Sequence, residues 1–335
     1  MKYTSKYFLT LTFSLLLYLF STNVEAQSAN VVEMHGQLKV IGTRIYGKSP
    51  LPVQLRGMSL FWSQWQGKYW NKEAIKWLRD DWQCTIVRAA MGVEKGGYLE
   101  NPETELKKVE DVIDACIELG IYVLVDYHAH EAHKDPESAK KFFGYISKKY
   151  GAYPNVIYET FNEPLQNEQW TETLKPYHES IIKVIRANDP DNIIICGTRQ
   201  WSQMVNEAAD DPIDGKNIAY TLHFYAASHK QDLRNIAQQA LDKGICLFIT
   251  EYGLCPASGD GDLDIKETQT WWEFCDKNDI SWCNWSIADK DETASAVPPK
   301  ADVNGGWPEE TLTQSGSLVR QECKRKNPRF EYSTY

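Results

Sequence analysis

The sequence lacks the basic character, the metal-binding cysteine spacing and the glycine-rich turn that mark several protein classes. Its 36 Lys and Arg are outnumbered by 46 Asp and Glu, so the formal net charge is −10. We expect no nucleic-acid partner, because phosphate binding requires a basic face. The eight cysteines include no C-x-x-C pair, and no G-x-G-x-x-G follows the first predicted strand. Neither a zinc-finger motif nor a dinucleotide site is therefore supported.

Long hydrophobic runs are also scarce, and the one that occurs lies at the start of the chain. Two lysines precede an apolar run over 8–20, and a small-x-small triplet, Val-Glu-Ala, follows at 24–26. This order predicts a secretory signal peptide over 1–26, because the run is too short to span a membrane. We expect secretion to the extracellular space or periplasm, with no membrane association after cleavage. The remaining chain, 27–335, is predicted to be a single domain.

The eight cysteines lie mostly in apolar strand-like and helix-like segments. Most of them are therefore predicted to be small buried hydrophobic residues. Because an export compartment permits oxidation, we also expect one or two disulfides, with no pairing assigned.

Strand-like and helix-like patterns alternate along the rest of the chain. After a β-hairpin predicted within 31–46, eight apolar runs alternate with stretches whose apolar residues recur every three or four positions. Several runs are continuously apolar, as expected of strands buried on both faces. The pattern predicts a (β/α)8 barrel with its core over about 50–325 and the short hairpin covering one end. The strands are predicted at 53–57, 85–88, 121–127, 156–161, 193–196, 218–225, 245–250 and 280–284.

Polar and aromatic side chains collect where these predicted strands end. In a barrel the carboxyl ends of the strands form one face, and that face carries the chemistry. Glu163 and Glu251 follow strands four and seven, on roughly opposite sides of the barrel mouth. Two facing carboxyls, one protonated and one ionised, are what cleavage of a glycosidic bond requires. The other residues at these ends are Arg88, His128, Asn162, His223, Tyr225 and Trp285.

Seven short motifs that include these residues occur in order along the chain. They are Arg-Gly-Met-Ser at 56–59, Ile-Val-Arg-Ala-Ala-Met at 86–91, Val-Asp-Tyr-His at 125–128, Asn-Glu-Pro at 162–164, His-Phe-Tyr at 223–225, Thr-Glu-Tyr-Gly at 250–253 and Asn-Trp-Ser at 284–286. The set resembles glycoside hydrolase family 5, the retaining cellulase-type enzymes of clan A. The stretch 285–293 is similar to the bacterial endo-β-1,4-glucanase subgroup. The resemblance implies an endo-β-1,4-glucanase that acts on β-1,4-glucan. We also expect a monomer that needs no cofactor or metal.

The resemblance also implies a role for each matching position. Glu163 matches the general acid/base, and Glu251 matches the nucleophile that forms a glycosyl-enzyme intermediate. Arg88 and Tyr225 match the partners that set the charge and orientation of Glu251. The remaining matches are Asn162 for the sugar 2-hydroxyl, His128 and His223 as pocket histidines, Trp285 and Trp65 as near and distant glucose platforms, and Lys290 and Glu292 as hydrogen-bonding partners.

The substrate stays open among several alternatives. Phe61 and Gly92 depart from the family pattern, in which many relatives have His and Tyr at positions expected to touch distal sugars. A β-mannanase or a mixed-linkage glucanase on the same scaffold is the first alternative, and a non-catalytic carbohydrate-binding barrel is the second. A zinc hydrolase using the H-x-H segment 128–130 is the third, although no later strand end supplies the Lys or Asp that would complete its site. His130 is expected to be a loop residue.

Overall fold

Parallel strands form the centre of the molecule, and the predicted (β/α)8 barrel is confirmed. The computed structural model describes residues 30–330. Its barrel strands close into a ring, because the last strand, Trp282–Ile287, pairs in parallel with both Arg56–Leu60 and Leu247–Gly253. Every residue of the barrel strands is buried. The strands are the hairpin pair β1 (Lys39–Ile41) and β2 (Arg44–Tyr46), then β3 (Arg56–Leu60), β4 (Ile86–Gly92), β5 (Tyr122–His128), β6 (Val156–Glu159), β7 (Ile194–Cys196), β8 (Ile218–Thr221), β9 (Phe224–Tyr225), β10 (Leu247–Gly253) and β11 (Trp282–Ile287).

Helices cover the outside of the barrel in alternation with the strands. Within 30–330, no helix is long and apolar enough to cross a membrane. The predicted signal peptide, 1–26, lies outside the described residues. The helices are α1 (Val31–His35), α2 (Ser63–Gln66), α3 (Lys72–Asp80), α4 (Pro102–Leu119), α5 (Pro136–Tyr150), α6 (Lys175–Arg186), α7 (Arg199–Ser202), α8 (Val205–Asp210), α9 (Gln231–Asp242), α10 (Ile265–Asn278) and α11 (Gln314–Lys326), with a π-helical turn at Trp170–Leu174 leading into α6.

Capping side chains fix where several of these helices begin. Asn71 Oδ1 accepts from the backbone N–H of the third residue of α3, at 2.9 Å, and Asp264 Oδ1 does the same for α10 at 3.0 Å. Thr313 Oγ1 caps α11 in the same way at 3.0 Å. Each cap satisfies an N–H group that has no partner inside its own helix. Gly120 ends α4 with φ of 69°, a left-handed conformation that glycine adopts without strain.

The N-terminal hairpin is shorter than predicted. Residues 31–35 form a helix, because Asn30 Oδ1 caps it by accepting from Glu33 N at 2.9 Å. The hairpin itself occupies 39–46 and lies across the amino ends of the barrel strands. Val40 N donates to Asn217 Oδ1, just before β8, at 2.9 Å. The hairpin therefore covers the end of the barrel opposite the predicted site.

Two strands leave the barrel ladder early, and both departures shape the site. β6 ends at Glu159, after which the backbone N–H of Asn162 donates to Tyr127 O and that of Glu163 donates to Ala129 O. Between β8 and β9 the backbone N–H of His223 donates to Ser202 O at 3.0 Å. These bonds direct the chain toward neighbouring strand ends, so the side chains of Asn162, Glu163 and His223 lie at the barrel mouth.

All eight cysteines lie within 30–330, and all are buried and free. The prediction that most of them are buried hydrophobic residues is confirmed. The prediction of one or two disulfides is wrong. Cys84, Cys275 and Cys283 are all within the main hydrophobic core, where a thiol fills space as a small apolar group.

Candidate active site

A cleft runs across the barrel at the carboxyl ends of the strands. One part, the Trp201 cavity, has a volume of about 560 Å³ and is bordered by Glu163, Glu251 and Trp201. A second part, the Trp62 cavity, measures about 360 Å³ and is bordered by Trp62 and Trp65. His130 borders both, so the two cavities meet at that side chain. A larger cavity of about 960 Å³ lies beneath the hairpin at the other end, but none of the predicted site residues lines it.

The two predicted glutamates face each other in the Trp201 cavity. One carboxylate oxygen of Glu163, one of Glu251 and a ring nitrogen of His223 all lie within 4.8 Å of one another. Both carboxyls are largely shielded from solvent, with side-chain exposures of 15% and 6% respectively. At this distance the charge on one carboxyl acts directly on the other.

Two donors hold the Glu251 carboxylate. Arg88 Nη1 donates to its Oε2 at 3.0 Å, and the Tyr225 hydroxyl donates to its Oε1 at 2.7 Å. Burial and the charge of Glu163 raise the pKa of Glu251, while Arg88 and Tyr225 oppose that rise. Because both partners donate to it, Glu251 is held with its carboxylate oriented and its negative charge compensated.

Arg88 is buried among three carboxylates. Its guanidinium lies 2.8 Å from Asp126, 2.8 Å from Glu159 and 3.0 Å from Glu251. Burial alone lowers the pKa of an arginine, but these charges raise the pKa of Arg88 well above its ordinary value. The guanidinium is therefore a permanent positive charge in the floor of the site.

Sequence reasoning missed Asp126 and Glu159, because both lie inside the predicted strands, 121–127 and 156–161, and not at their ends. A signal was available, since each is an isolated carboxylate within an otherwise apolar run. A charge buried in a strand requires a charged or hydrogen-bonding partner. Arg88 of β4 is that partner for both.

Two imidazoles flank Glu163. His223 Nδ1 lies 2.9 Å from its Oε1, and His130 Nε2 lies 3.4 Å from its Oε2. Burial alone would raise the pKa of Glu163, but the hydrogen bonds from His130 and His223 outweigh burial and lower that pKa to about 2. Burial lowers the pKa of His223, yet Glu159 and Glu163 raise it to about 9. In the free site Glu163 is therefore ionised, and the imidazole of His223 beside it is protonated.

His130 lies in the loop that follows β5, as predicted, and its side chain reaches the cleft. Its ring stacks on Trp62, with centroids 5.7 Å apart and planes 28° from parallel. The neighbouring His128 instead bonds Asp126 through Nδ1 at 2.6 Å. Within residues 30–330, the one group of three or more His, Cys, Asp or Glu side chains close enough to share a metal ion is Glu163, His223 and Glu251. His128 and His130 therefore do not form the H-x-H zinc arrangement.

Asn162 completes the polar floor. Its Oδ1 accepts from Arg88 Nη2 at 2.6 Å. Its Nδ2 atom is buried and has no hydrogen-bond partner among residues 30–330. A buried amide donor without a partner next to a cleft is satisfied when a ligand supplies an acceptor.

Aromatic rings border the carboxyl pair on both sides. Trp285 is nearly buried and lies parallel to His128, with centroids 5.2 Å apart and planes within 4°. Trp65 is 52% exposed and lies 5.0 Å from Trp62 in the Trp62 cavity. Trp201 is 40% exposed in the other cavity and has φ of 55°. The left-handed turn that presents Trp201 gives no periodic signal, so sequence patterns could not assign it.

The remaining predicted residues lie near Phe61. Lys290 and Glu292 form an ion pair with each other, and Lys290 Nζ lies 5.4 Å from the centre of the Phe61 ring. Phe61 packs 5.0 Å from Trp285. Gly92 presents no side chain to the cleft, because a Cβ there would clash with the Gln64 amide at 1.8 Å. Gln64 thus occupies the space next to the strand where many relatives place a tyrosine.

Known proteins are similar to this chain in sequence and in fold. The family model for cellulase, glycosyl hydrolase family 5, matches residues 46–291. Endoglucanase A of Evansella cellulosilytica is 45% identical over 319 residues, which cover 94% of this chain and 65% of that protein. Endoglucanase Z of Dickeya dadantii is 45% identical over 305 residues, which cover 90% of this chain and 69% of that protein. The chain therefore spans about two thirds of the length of these relatives.

Solved structures show the same likeness. A structure from Cytophaga hutchinsonii is 58% identical, with a TM-score of 0.88 and coverage of 89% of this chain and 97% of that chain. The catalytic domain of Thermobifida fusca endoglucanase Cel5A is 32% identical, with a TM-score of 0.83 and coverage of 88% and 99%.

Proposed function

Because the chain belongs to glycosyl hydrolase family 5, the cellulase family, we propose that it is an endo-β-1,4-glucanase that acts with retention of anomeric configuration. The observation that carries retention is the approach of Glu163 and Glu251 to within 4.8 Å. Retaining enzymes place their carboxyls about 5–5.5 Å apart, whereas inverting enzymes leave about 6.5–9.5 Å for a water molecule. The endoglucanase names of its relatives support the substrate class.

In the first step, Glu251 attacks the anomeric carbon of the sugar next to the scissile bond. The electron pair of the glycosidic bond passes to the leaving oxygen, and Glu163 donates a proton to that oxygen. Arg88 and Tyr225 keep one Glu251 oxygen each occupied, which orients the carboxylate for attack. The products are a glycosyl ester on Glu251 and the released part of the glucan.

In the second step, Glu163 acts as a base. It takes a proton from a water molecule, whose oxygen attacks the anomeric carbon and expels the Glu251 carboxylate. The ester is neutral, so Glu163 no longer feels the negative charge of Glu251 and its pKa falls. The hydrogen bond from His130 lowers that pKa as well, which favours the ionised form that a base requires.

The first step requires Glu163 to carry a proton, although its pKa in the free site is low. The missing proton lies on His223 Nδ1, at 2.9 Å from Glu163 Oε1. Transfer across this bond replaces an ion pair with two neutral groups and needs no exchange with solvent. It also removes the negative charge of Glu163, which raises the pKa of Glu251, together with the positive charge of His223, which lowers it, so Arg88 and Tyr225 remain to stabilise the ionised nucleophile.

The pH dependence of kcat/KM is expected to be bell-shaped, with a broad optimum. Below it, Glu251 gains a proton and loses nucleophilicity, at a pH above the ordinary glutamate pKa because burial and Glu163 raise that pKa. Above it, the Glu163–His223 pair loses its last proton, near the His223 pKa of about 9. Initial rates on cellotetraose across the pH range test this, and an alkaline limb near the ordinary histidine pKa of 6.5 would contradict it.

The exposed tryptophans are proposed to bind sugar rings on the two sides of the scissile bond. Trp65→Ala and Trp201→Ala are each expected to raise KM for cello-oligosaccharides by roughly tenfold, with a smaller change in kcat, because each loses one stacking contact. Tyr153→Ala is the matched control, since its ring is 43% exposed outside the cleft. Equal KM values for all three variants and the wild type would rule out these platforms.

The substrate is tested by reducing-sugar release from carboxymethylcellulose, mixed-linkage glucan, mannan and xylan in parallel. Release from carboxymethylcellulose that disappears in Glu251→Gln supports an endo-β-1,4-glucanase. Preferential release from mannan or from mixed-linkage glucan would favour those activities on the same scaffold. Binding to glucan without release, by folded protein, would favour the non-catalytic carbohydrate-binding barrel.

We also propose that the protein is secreted, on the strength of the signal-peptide pattern at 1–26, and that 27–335 acts as a monomeric single domain. Recovery from the culture medium or periplasm with Gln27 as the first residue supports this. Recovery from the membrane fraction with 1–26 intact would contradict it, as would a dimeric mass by light scattering.

A further inference from the structure

A buried chain of hydrogen bonds links Arg88 to His223. Arg88 Nε donates to Glu159 at 2.8 Å, and the Thr250 hydroxyl donates to the same carboxylate at 2.6 Å. His223 Nε2 lies 2.8 Å from Thr250 Oγ1. All four side chains are almost completely buried. Neither Glu159 nor Thr250 touches the cleft, and neither has a role in the two chemical steps described above.

The chemistry of the partners fixes the direction of each bond. Arg88 can only donate, and Glu159, ionised next to it, can only accept. The single hydroxyl proton of Thr250 is therefore committed to Glu159. Thr250 Oγ1 then has only lone pairs to offer, so His223 Nε2 must carry a proton and donate it. The Thr221 hydroxyl, which also contacts Thr250 Oγ1, donates for the same reason.

This direction determines what the other ring nitrogen can do. With Nε2 always protonated, His223 Nδ1 either carries a proton and faces an ionised Glu163, or is bare and faces a protonated Glu163. The alternative neutral tautomer, with its proton on Nδ1 alone, would leave Thr250 without its donor. One exchangeable proton is thus confined between Nδ1 and the Glu163 carboxyl.

We propose that Thr250 and Glu159 are positioning residues that hold the proton of His223 on Nε2 and thereby direct its second proton to Glu163. The inference rests on the proposed function, in which Glu163 is the general acid. The carboxylates that face His223 are Glu159, Glu163 and Glu251, and His128 is the nearby imidazole.

Removal of the Thr250 hydroxyl tests the relay. In Thr250→Val, His223 Nε2 loses its hydrogen-bond acceptor at 2.8 Å and keeps only the Glu159 carboxylate, 3.7 Å away. The neutral ring then carries its proton on Nδ1 more often, and Glu163 is more often ionised. We expect kcat/KM for cellotetraose, whose leaving group needs a proton, to fall by roughly 10- to 100-fold. For 2,4-dinitrophenyl β-cellobioside, whose leaving group departs without one, we expect kcat/KM to change by less than about threefold.

Two further variants separate the relay from a general packing defect. Thr250→Ser keeps the hydroxyl and is expected to restore most of the cellotetraose activity. Thr160→Val is the matched control, because Thr160 Oγ1 also bonds a buried histidine, His178, at 2.8 Å, but outside the site. It is expected to leave the ratio of the two kcat/KM values unchanged.

A spectroscopic measurement checks the tautomer directly. In wild-type protein labelled with ¹⁵N-histidine, Nε2 of His223 is expected to stay protonated on both sides of the alkaline limb. In Thr250→Val, the neutral ring of His223 is expected to carry its proton on Nδ1 more often. A uniform loss on both substrates, no loss on either, or a bare Nε2 in the wild type would overturn the relay. A wild type inactive on both substrates would instead refute the proposed function.

Discussion

Glu251→Gln is expected to lower the rate of glucan hydrolysis by roughly 10⁴-fold or more, because a neutral amide cannot attack the anomeric carbon. The amide has nearly the same shape as the carboxylate. The side-chain oxygen of Gln can still accept from Arg88 or Tyr225, which now donate to the carboxylate of Glu251. The variant should therefore fold and still bind glucan. Initial rates on cellotetraose measure the loss, and the thermal unfolding temperature reports whether folding is preserved.

A smaller residue at the same position identifies the role more sharply. In Glu251→Gly, azide can enter the space that the carboxylate leaves and attack 2,4-dinitrophenyl β-cellobioside from the same side. The expected product is the α-glycosyl azide, formed with a single inversion. Substantial hydrolysis by this variant without azide would show that Glu251 is not the nucleophile.

Glu163→Ala is expected to have the second largest effect, and one that depends on the substrate. Hydrolysis of cellotetraose should fall by roughly 10³-fold, since its leaving oxygen needs a proton. With 2,4-dinitrophenyl β-cellobioside, formation of the glycosyl-enzyme should proceed, and its hydrolysis should become slow because the base is missing. A burst of dinitrophenol followed by a slow steady rate is the expected time course.

Azide distinguishes Glu163→Ala from Glu251→Gly. Attack on the glycosyl-enzyme of Glu163→Ala comes from the face opposite Glu251, so the product should be the β-glycosyl azide. The two variants are thus each other's controls, with opposite anomers expected from one substrate and one nucleophile. The same anomer from both, or an equal loss on both substrates for Glu163→Ala, would contradict the assigned roles.

The parts of the fold and site that follow a repeating pattern could be predicted from the sequence. The apolar runs before Glu163 and Glu251 identify buried strands, and barrel geometry then places both residues at one face. Arg88 and Tyr225 were predicted at the same face, and the structure gives both a hydrogen bond to Glu251. The hairpin was predicted from its alternation, but the short helix α1 before it depends on a single cap, Asn30, that no periodicity reveals.

The parts that could not be predicted depend on how strands bend and which residues then meet. His130 reaches Glu163 because the chain after β6 bonds to the backbone beyond β5. Thr250 lies in the middle of β10, where a threonine fits an apolar run, and its partner Glu159 lies on β6, with β7 and β8 between them in the ladder order. Such contacts are set by the register between strands, which a single sequence does not show.

The disulfide expectation failed for a different reason. An oxidising compartment permits disulfides, but the spacing of cysteines along a chain does not determine which side chains face each other. In this barrel the strands and helices bury every thiol, and all eight are free, including Cys84 and Cys323, whose side chains are in contact. The apolar segments around the cysteines predicted their state better than the oxidising compartment did.

The first sugar released decides the central claim, that Glu163 and Glu251 cleave glucan by double displacement. Proton NMR during the first minutes of cellotetraose hydrolysis distinguishes the two anomers of the new reducing end before mutarotation mixes them. The proposed mechanism predicts that the β-anomer forms first and that the α-anomer appears only later. Immediate formation of the α-anomer would mean single displacement by water and would contradict the mechanism.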